Sequence, residues 1–451
     1  MKTEIRMFKV GALGDCFLLR FIEEEEQFNI LIDCGAYWNS DAAETRLKLI
    51  AQEIQELVGD NQLDIVVGTH QHNDHYSGFW FAKETFENIG AEHVWLSWMN
   101  EPGNEDAEAI LEEHHNLRLA LQNIRSALSL RGDQAGKALL EEVESLVDVN
   151  EDVRPNNPVF AAKKRISVPD EGLKTIRNMG PESYLHPGQI KAIFEEKVKV
   201  YVLGPPKNYK SLRDTNPNKG QSYDKHLKGL HHRATEVLKT IEAANDESAN
   251  ESFPFNSNFK NKLEESQTDL PKLIQQYFDN PAQRIDDSWT KSAEQLAIRL
   301  NSYTNNTSLV LAFELVESGK VLLFVGDAQM GNWLSWDKVE WEDGKEHLEQ
   351  LLEQTVFYKV GHHGSHNSTL KPALEAMTHP ELMAMIPVDK NDPNISSRKR
   401  PWKMPAAKLY ERLLEKTKGR VLRMDEGPHE SGEGNWEIDP EEFVLYWMLE
   451  I

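Results

Sequence analysis

The segment His70-Gln71-His72-Asn73-Asp74-His75 constrains this chain more than any other feature. It follows Leu63 to Gly68 (LDIVVG), an apolar run that reads as a buried strand ending at Thr69. Three imidazoles and a carboxylate at one strand end make a poor apolar core, because each would need its own buried partner. They suit a metal site. In extended or turning backbone, His70 and His72 point to one side and can share a cation, and Asp74 and His75 follow within reach of a second. Two close cations depress the pKa of a shared water, giving hydroxide near neutral pH, and polarise the oxygens of a phosphoryl or carbonyl group. The segment therefore predicts two divalent metal ions (Zn²⁺ or Mn²⁺) and hydrolytic chemistry.

Further apolar runs end in polar residues. Ile30 to Gly35 (ILIDCG) contains Asp33, Val321 to Asp327 (VLLFVGD) ends in Asp327, and Val356 to Ser365 (VFYKVGHHGS) carries His362 and His363. In this order the pieces resemble the metallo-β-lactamase fold. Asn305-Asn306-Thr307-Ser308, the Gly-Asp strand, the GHHGS turn and the start Gly14-Asp15-Cys16 resemble the soluble domain of ComEC-type competence proteins. The resemblance covers roughly residues 1–95, 196–206 and 300–430. It implies an αββα sandwich with a large, mainly helical insertion.

It also implies roles. Asp327 matches the position of the carboxylate that bridges two metals. His362 and His363 compete for a last ligand position, and strand alternation is expected to turn them apart. The family supplies one more histidine, for which His186 is the candidate. Asp33 is expected to orient the ligand loop through hydrogen bonds. Asn305, Asn306, Ser308 and Ser365 are candidate substrate contacts, since amides and hydroxyls donate to phosphate without adding charge. Turn formation is the competing explanation for the first three. Where ComEC-type sequences have Gly-His-Pro, this chain has Lys403-Met404-Pro405. Lys403 or Arg400 is the substitute for stabilising transition-state charge, with Asp74 and His363 as the other candidate catalytic groups.

The chain has 451 residues and a formal charge of −24, which argues against a broad basic surface for nucleic acid. A local basic stretch, Arg398-Lys399-Arg400-Pro401-Trp402-Lys403, combines cations with an aromatic ring. No apolar run approaches the ~20 residues of a membrane span, and the N-terminus lacks a secretory apolar region. Cys16 and Cys34 read as buried thiols, and the expected location is cytoplasmic.

The expected organisation is a first half-domain over 1–99, a helical insertion over 100–195, a core strand over 196–206, a second helical insertion over 207–300 with a polar loop near 243–261, and a second half-domain over 301–451. The insertions offer a surface for a regulatory protein or a second copy. The leading reading is a nuclease for DNA or RNA. Its alternatives are a hydrolase of a small phosphodiester, ester or lactone, and a metal-stabilised interaction module.

Overall fold

The structure, a computed structural model, describes residues 1–59, 62–115, 167–214, 217, 220–223, 302–397 and 401–430, with strand backbone at Trp436–Glu437 and Tyr446–Glu450. The chain divides into two units. The first is Met1–Leu111, Asp148–His226 and Ser302–Ile451, and it holds both sheets. The second is Glu112–Val147 and Leu227–Asn301, of which only 112–115 lie among the described residues. Most of the expected second insertion over 207–300, with its loop near 243–261, and Arg400 fall outside them.

The strands, in chain order, are β1 (Lys2–Phe8), β2 (Cys16–Glu23), β3 (Glu26–Cys34), β4 (Leu63–Gly68), β5 (Ala91–Ser97), β6 (Glu182–Leu185), β7 (Ile190–Ile193), β8 (Val198–Gly204), β9 (Val310–Leu315), β10 (Val321–Phe324), β11 (Thr355–Lys359), β12 (Met383–Ile386), β13 (Val421–Arg423), β14 (Gly427–Pro428), β15 (Trp436–Glu437) and β16 (Tyr446–Glu450). One eight-stranded sheet runs β15-β16-β1-β2-β3-β4-β5-β6, the other β14-β13-β12-β11-β10-β9-β8-β7. Strands β3 to β6 pair in parallel, as do β10 to β13.

Side-chain alternation makes this a sandwich. Val198, Val200 and Val202 of β8, Leu311 and Phe313 of β9, and Leu322 and Phe324 of β10 join Ile5, Phe17 and Leu19 of the first sheet in one core. The intervening Tyr201, Leu203, Ala312 and Leu323 enter a second core with Leu409 and Leu413 of the helix Ala407–Thr417. Phe17 and Phe324 meet across the sheets edge to face at 5.9 Å. Helices cover the outer face of the first sheet: α1 (Asp41–Val58), α2 (Asn73–Phe81), α3 (Lys83–Ile89) and α4 (Val168–Asn178). The fold is therefore the αββα sandwich. Helix α4 and strands β6 and β7 build this core, although the sequence reading assigned residues 100–195 to an insertion.

The register pairs Cys16 with Cys34, both buried free thiols. No helix among the described residues is long and apolar enough to cross a membrane.

Candidate metal centre

Four chain segments meet at the carboxyl ends of parallel strands, where open α/β sheets place their sites. They are the end of β3, the β4–α2 connection, the turn after β10 and the turn after β11. Asp33 adopts φ +57°, a left-handed conformation that aspartate tolerates better than most residues. Its Oδ1 accepts from the Thr69 N–H at 2.8 Å, and its Oδ2 accepts from the Thr69 hydroxyl at 2.6 Å. The same Oδ2 lies 2.7 Å from His75 Nδ1. Asp33 thus bonds both ends of the ligand segment. Gly35 closes the arrangement, because a Cβ there would lie 2.5 Å from the backbone of Asn73, Asp74 and His75.

The ligand segment is not a simple turn. His72 caps α2, and Asp74 and His75 occupy its first turn. His70 Nε2 lies 3.0 Å from His72 Nδ1. From the second sheet, Asp327 Oδ1 accepts the His362 N–H at 2.9 Å, and Asp327 Oδ2 stands 3.4 Å from His75 Nε2. His363 Nε2 lies 3.1 Å from Asp74 Oδ2, and its Nδ1 is fixed 2.6 Å from the Pro387 carbonyl. His362 instead faces Ser365 Oγ at 3.0 Å and Gln329 Nε2 at 3.3 Å. The two histidines do diverge, but strand alternation is not the cause. Both have positive φ, +43° and +53°, in a tight turn beyond β11. Such conformations cost about 1–3 kcal/mol each and cluster at functional sites.

Among the described residues three donor groups emerge: His70, His75 and Asp327; Asp74, Asp327 and His363; and Asp15, Asp33 and His75. Asp327 belongs to the first two. His75 Nε2 and Asp327 Oδ2 are buried without a hydrogen-bond partner, which a native structure tolerates where another ligand satisfies them. The charge balance points the same way. Asp15, Asp33, Asp74 and Asp327 are each at most 4% exposed, and the buried Lys359 pairs with Asp15 and lies 3.4 Å from Asp327.

Burial, reinforced by His75 and His72, pushes His70 well below the ordinary histidine value. Burial brings His72 down to about 3 and His362 to about 4, so all three present free lone pairs at neutral pH. For His75 and His363, burial is outweighed by the carboxylates. Asp327 and Asp33 raise His75, and the bond to Asp74 raises His363. Cations among these groups would supply the positive charge that those protons supply, which couples metal binding to proton release. The residues present fit divalent metal.

Residues 11–187 match the model of the metallo-beta-lactamase superfamily. The chain carries a metallo-β-lactamase superfamily domain. No curated protein matches the chain. The matched segment includes the whole His70–His75 stretch, while Asp327, His362 and His363 lie beyond it. The superfamily consists mostly of hydrolytic metalloenzymes that bind divalent metals such as zinc, and the domain here brings the donor groups for that chemistry together. The match and these donor groups support a metal-dependent hydrolase.

The remaining candidates sort by position within the domain. Asn306 turns inward: its Nδ2 donates to the carbonyls of Leu212 and Asp214, and its Oδ1 accepts from the N–H of Gln329 and of Asn332. These bonds saturate the amide and leave nothing for substrate. Ser308 Oγ accepts the Asp327 N–H at 3.0 Å and lies 3.3 Å from His70 Nδ1, so it positions ligands. Asn305 also faces the donors, with Oδ1 3.2 Å from His70 Nε2. Ser365 is 4% exposed and bonds Asn367. His186 stands apart, with Nε2 3.4 Å from Glu101 Oε2, and joins none of the donor groups. Lys403 is exposed.

Sequence reading gave no role to Asp15, Lys359 or Gln329. Gly14-Asp15-Cys16 and the Lys359 flank of GHHGS were visible, but their pairing across the sheets was not.

Proposed function

We propose that this protein is a two-metal phosphodiesterase acting on nucleic acid. The observation that carries the reading is Asp327, shared between the His70/His75 group and the Asp74/His363 group. A carboxylate common to two donor groups is how a protein holds two cations a few Å apart, the clamp suited to in-line phosphoryl displacement. When bound, such ions supply a nucleophile from water at neutral pH and stabilise developing negative charge. The protein's own groups do the rest. Asp33 and Ser308 fix the ligand orientations, Pro387 sets the His363 ring, and Lys359 offsets part of the buried carboxylate charge. Ligand positions held this way need little rearrangement during reaction. The likeness of the Asn305–Ser308 and GHHGS segments to ComEC-type proteins, a group associated with nuclease activity, favours nucleic acid over a small ester.

The test is cleavage of linear, circular and single-stranded DNA and of RNA with Mn²⁺ or Zn²⁺, comparing the intact protein with His72→Ala/Asp74→Ala. Metal-dependent cleavage that the double variant loses is expected. A protein that binds two ions, leaves every polymer intact and hydrolyses bis(p-nitrophenyl) phosphate or an ester would be an enzyme for small substrates. A protein that binds metal but hydrolyses nothing would be an interaction module.

A further inference from the structure

His70 shares a donor group with His75 and Asp327, His72 Nδ1 stands beside its Nε2, and His186 is not in place to join them. Its ring faces Glu101, its side chain is 22% exposed, and its backbone N–H bonds Gln189. Asn305 occupies the vacant direction. It is fully buried, and its Oδ1 lies 3.2 Å from His70 Nε2, beside the 3.0 Å separation of His70 Nε2 from His72 Nδ1. Donor atoms about 2.0–2.1 Å from one ion stand roughly 3.0–3.4 Å apart, depending on geometry. Both distances fall in that interval.

The hydrogen bonds around His70 and Asn305 hold both groups in this placement. The Thr69 hydroxyl donates to Asp33 at 2.6 Å, so toward His70 Nδ1, 3.1 Å away, it acts as acceptor. The Ser308 hydroxyl, 3.3 Å away, faces the same ring nitrogen, so Nδ1 is held from two sides and Nε2 is directed toward Asn305. The Asn305 Nδ2 lies 3.4 Å from His362 Nε2, which engages the NH₂ end of the amide and leaves the carbonyl oxygen toward His70.

We propose that the carboxamide oxygen of Asn305, in place of an imidazole from His186, joins the donors of the cation at His70, beside His72. This assignment presupposes the two-cation reading above. It has a chemical consequence, because a neutral oxygen in place of a nitrogen makes the site harder and shifts its preference from Zn²⁺ toward Mn²⁺.

The experiment is titration of the metal-stripped full chain with Mn²⁺ and with Zn²⁺ by calorimetry, with elemental analysis of the loaded protein. The variants are Asn305→Ala, Asn305→His and His186→Ala. Two ions are expected in the wild type. Asn305→Ala should weaken one Mn²⁺ site by about tenfold or more, the scale of perturbing a metal's protein shell. His186→Ala should bind both ions as wild type does. Asn305→His, which keeps a donor should the alanine variant fail to fold, should raise the Zn²⁺-to-Mn²⁺ affinity ratio at that site by about tenfold or more. An Asn305→Ala protein with both Mn²⁺ affinities intact would overturn the assignment, as would loss of an ion in His186→Ala or an unchanged ratio in Asn305→His. A wild-type chain that holds no metal would instead overturn the two-metal function, and the assignment with it.

Discussion

The first sheet contributes to the site from two adjacent strand ends, and the second sheet from two separated turns. On the first sheet, one carboxylate, Asp33, bonds Thr69 and His75 and thereby fixes the whole run of donors between them. On the second, Asp327 and the His362–His363 turn are held by scattered groups: Ser308, Lys359, Gln329, Ser365 and the Pro387 carbonyl. A contiguous motif can hang on one anchor, whereas a site assembled from distant segments needs an anchor for each. The first half should thus be sensitive at one residue, and the second should distribute the effect of any supporting substitution.

The residue that joins the halves should show the largest effect. Asp327→Ala removes the oxygens that both donor groups share. Its kcat/KM should fall by more than about 1000-fold, beyond what loss of one stabilising donor costs, and elemental analysis should find fewer than two ions. Wild-type metal content in this variant would mean that the halves bind independently. Next comes the first-sheet anchor. Asp33→Asn replaces an acceptor bonded to Thr69 and His75 with a group that cannot accept at both oxygens. Metal affinity should fall about 10–100-fold, as for other groups that orient ligands, with the circular dichroism spectrum retained. A loss below threefold would show that the ligand run does not depend on a single anchor.

A pH experiment separates the histidines by sign. His72 is lowered from 6.5 to about 3, mainly by burial. Between those values the unfolded chain binds a proton that the folded chain refuses, so this group costs the metal-stripped protein stability as pH falls. His72→Gln should lose stability less steeply over that window, by at most about 1.4 kcal/mol per pH unit in urea unfolding. His75 and His363 act oppositely. Their folded pKa values are raised above 6.5, so their contribution is complete below that value and is lost as pH rises through the raised ones. Parallel wild-type and His72→Gln stability curves would mean that His72 is solvated or already protonated.

For the second sheet, Asn306 is the sharpest probe. Its amide ties Leu212 and Asp214 to Gln329 and Asn332, all by backbone groups. Asn306→Ala strands those partners and should cost about 1–3 kcal/mol of stability, with KM for the cleaved polymer unchanged. A raised KM at unaltered stability would return Asn306 to the substrate-facing role that its neighbourhood in sequence suggested.

That case shows where sequence reading stops. His70 to His75 were legible as candidate donors because six contiguous residues can meet only one strand end, and apolar runs located β3, β4, β8, β10 and β11. Helix α2 was not legible, because Asn73 to Phe81 is buried on nearly every side and shows no polar stripe. Strands β6 and β7 are four residues each and carry little pattern. The direction of a turn side chain is set by tertiary partners, so Asn305, Asn306 and Ser308 read alike in sequence but do three different things. Asp15 acquires its role only by meeting Lys359 from the other sheet.

The smallest effect is expected at the rim. Lys403 is exposed, yet its segment is tied to the site: the Trp402 N–H bonds the Asn394 carbonyl, and the Ala406 N–H bonds the carbonyl of Gly364, next to His363. Trp402 itself packs edge-on against Tyr37 at 5.7 Å, so its ring serves the fold even where an edge remains accessible. An exposed lysine so placed can meet a phosphate beside the donors without touching the reacting bond. Lys403→Ala should therefore weaken polymer binding evenly across sequences and lower the slope of log affinity against log salt by about one. Metal content and turnover at saturating substrate should stay as in wild type. A reduced turnover with an unchanged salt slope would place Lys403 at the reacting phosphoryl group, and the rim of the second sheet would then join its catalytic half.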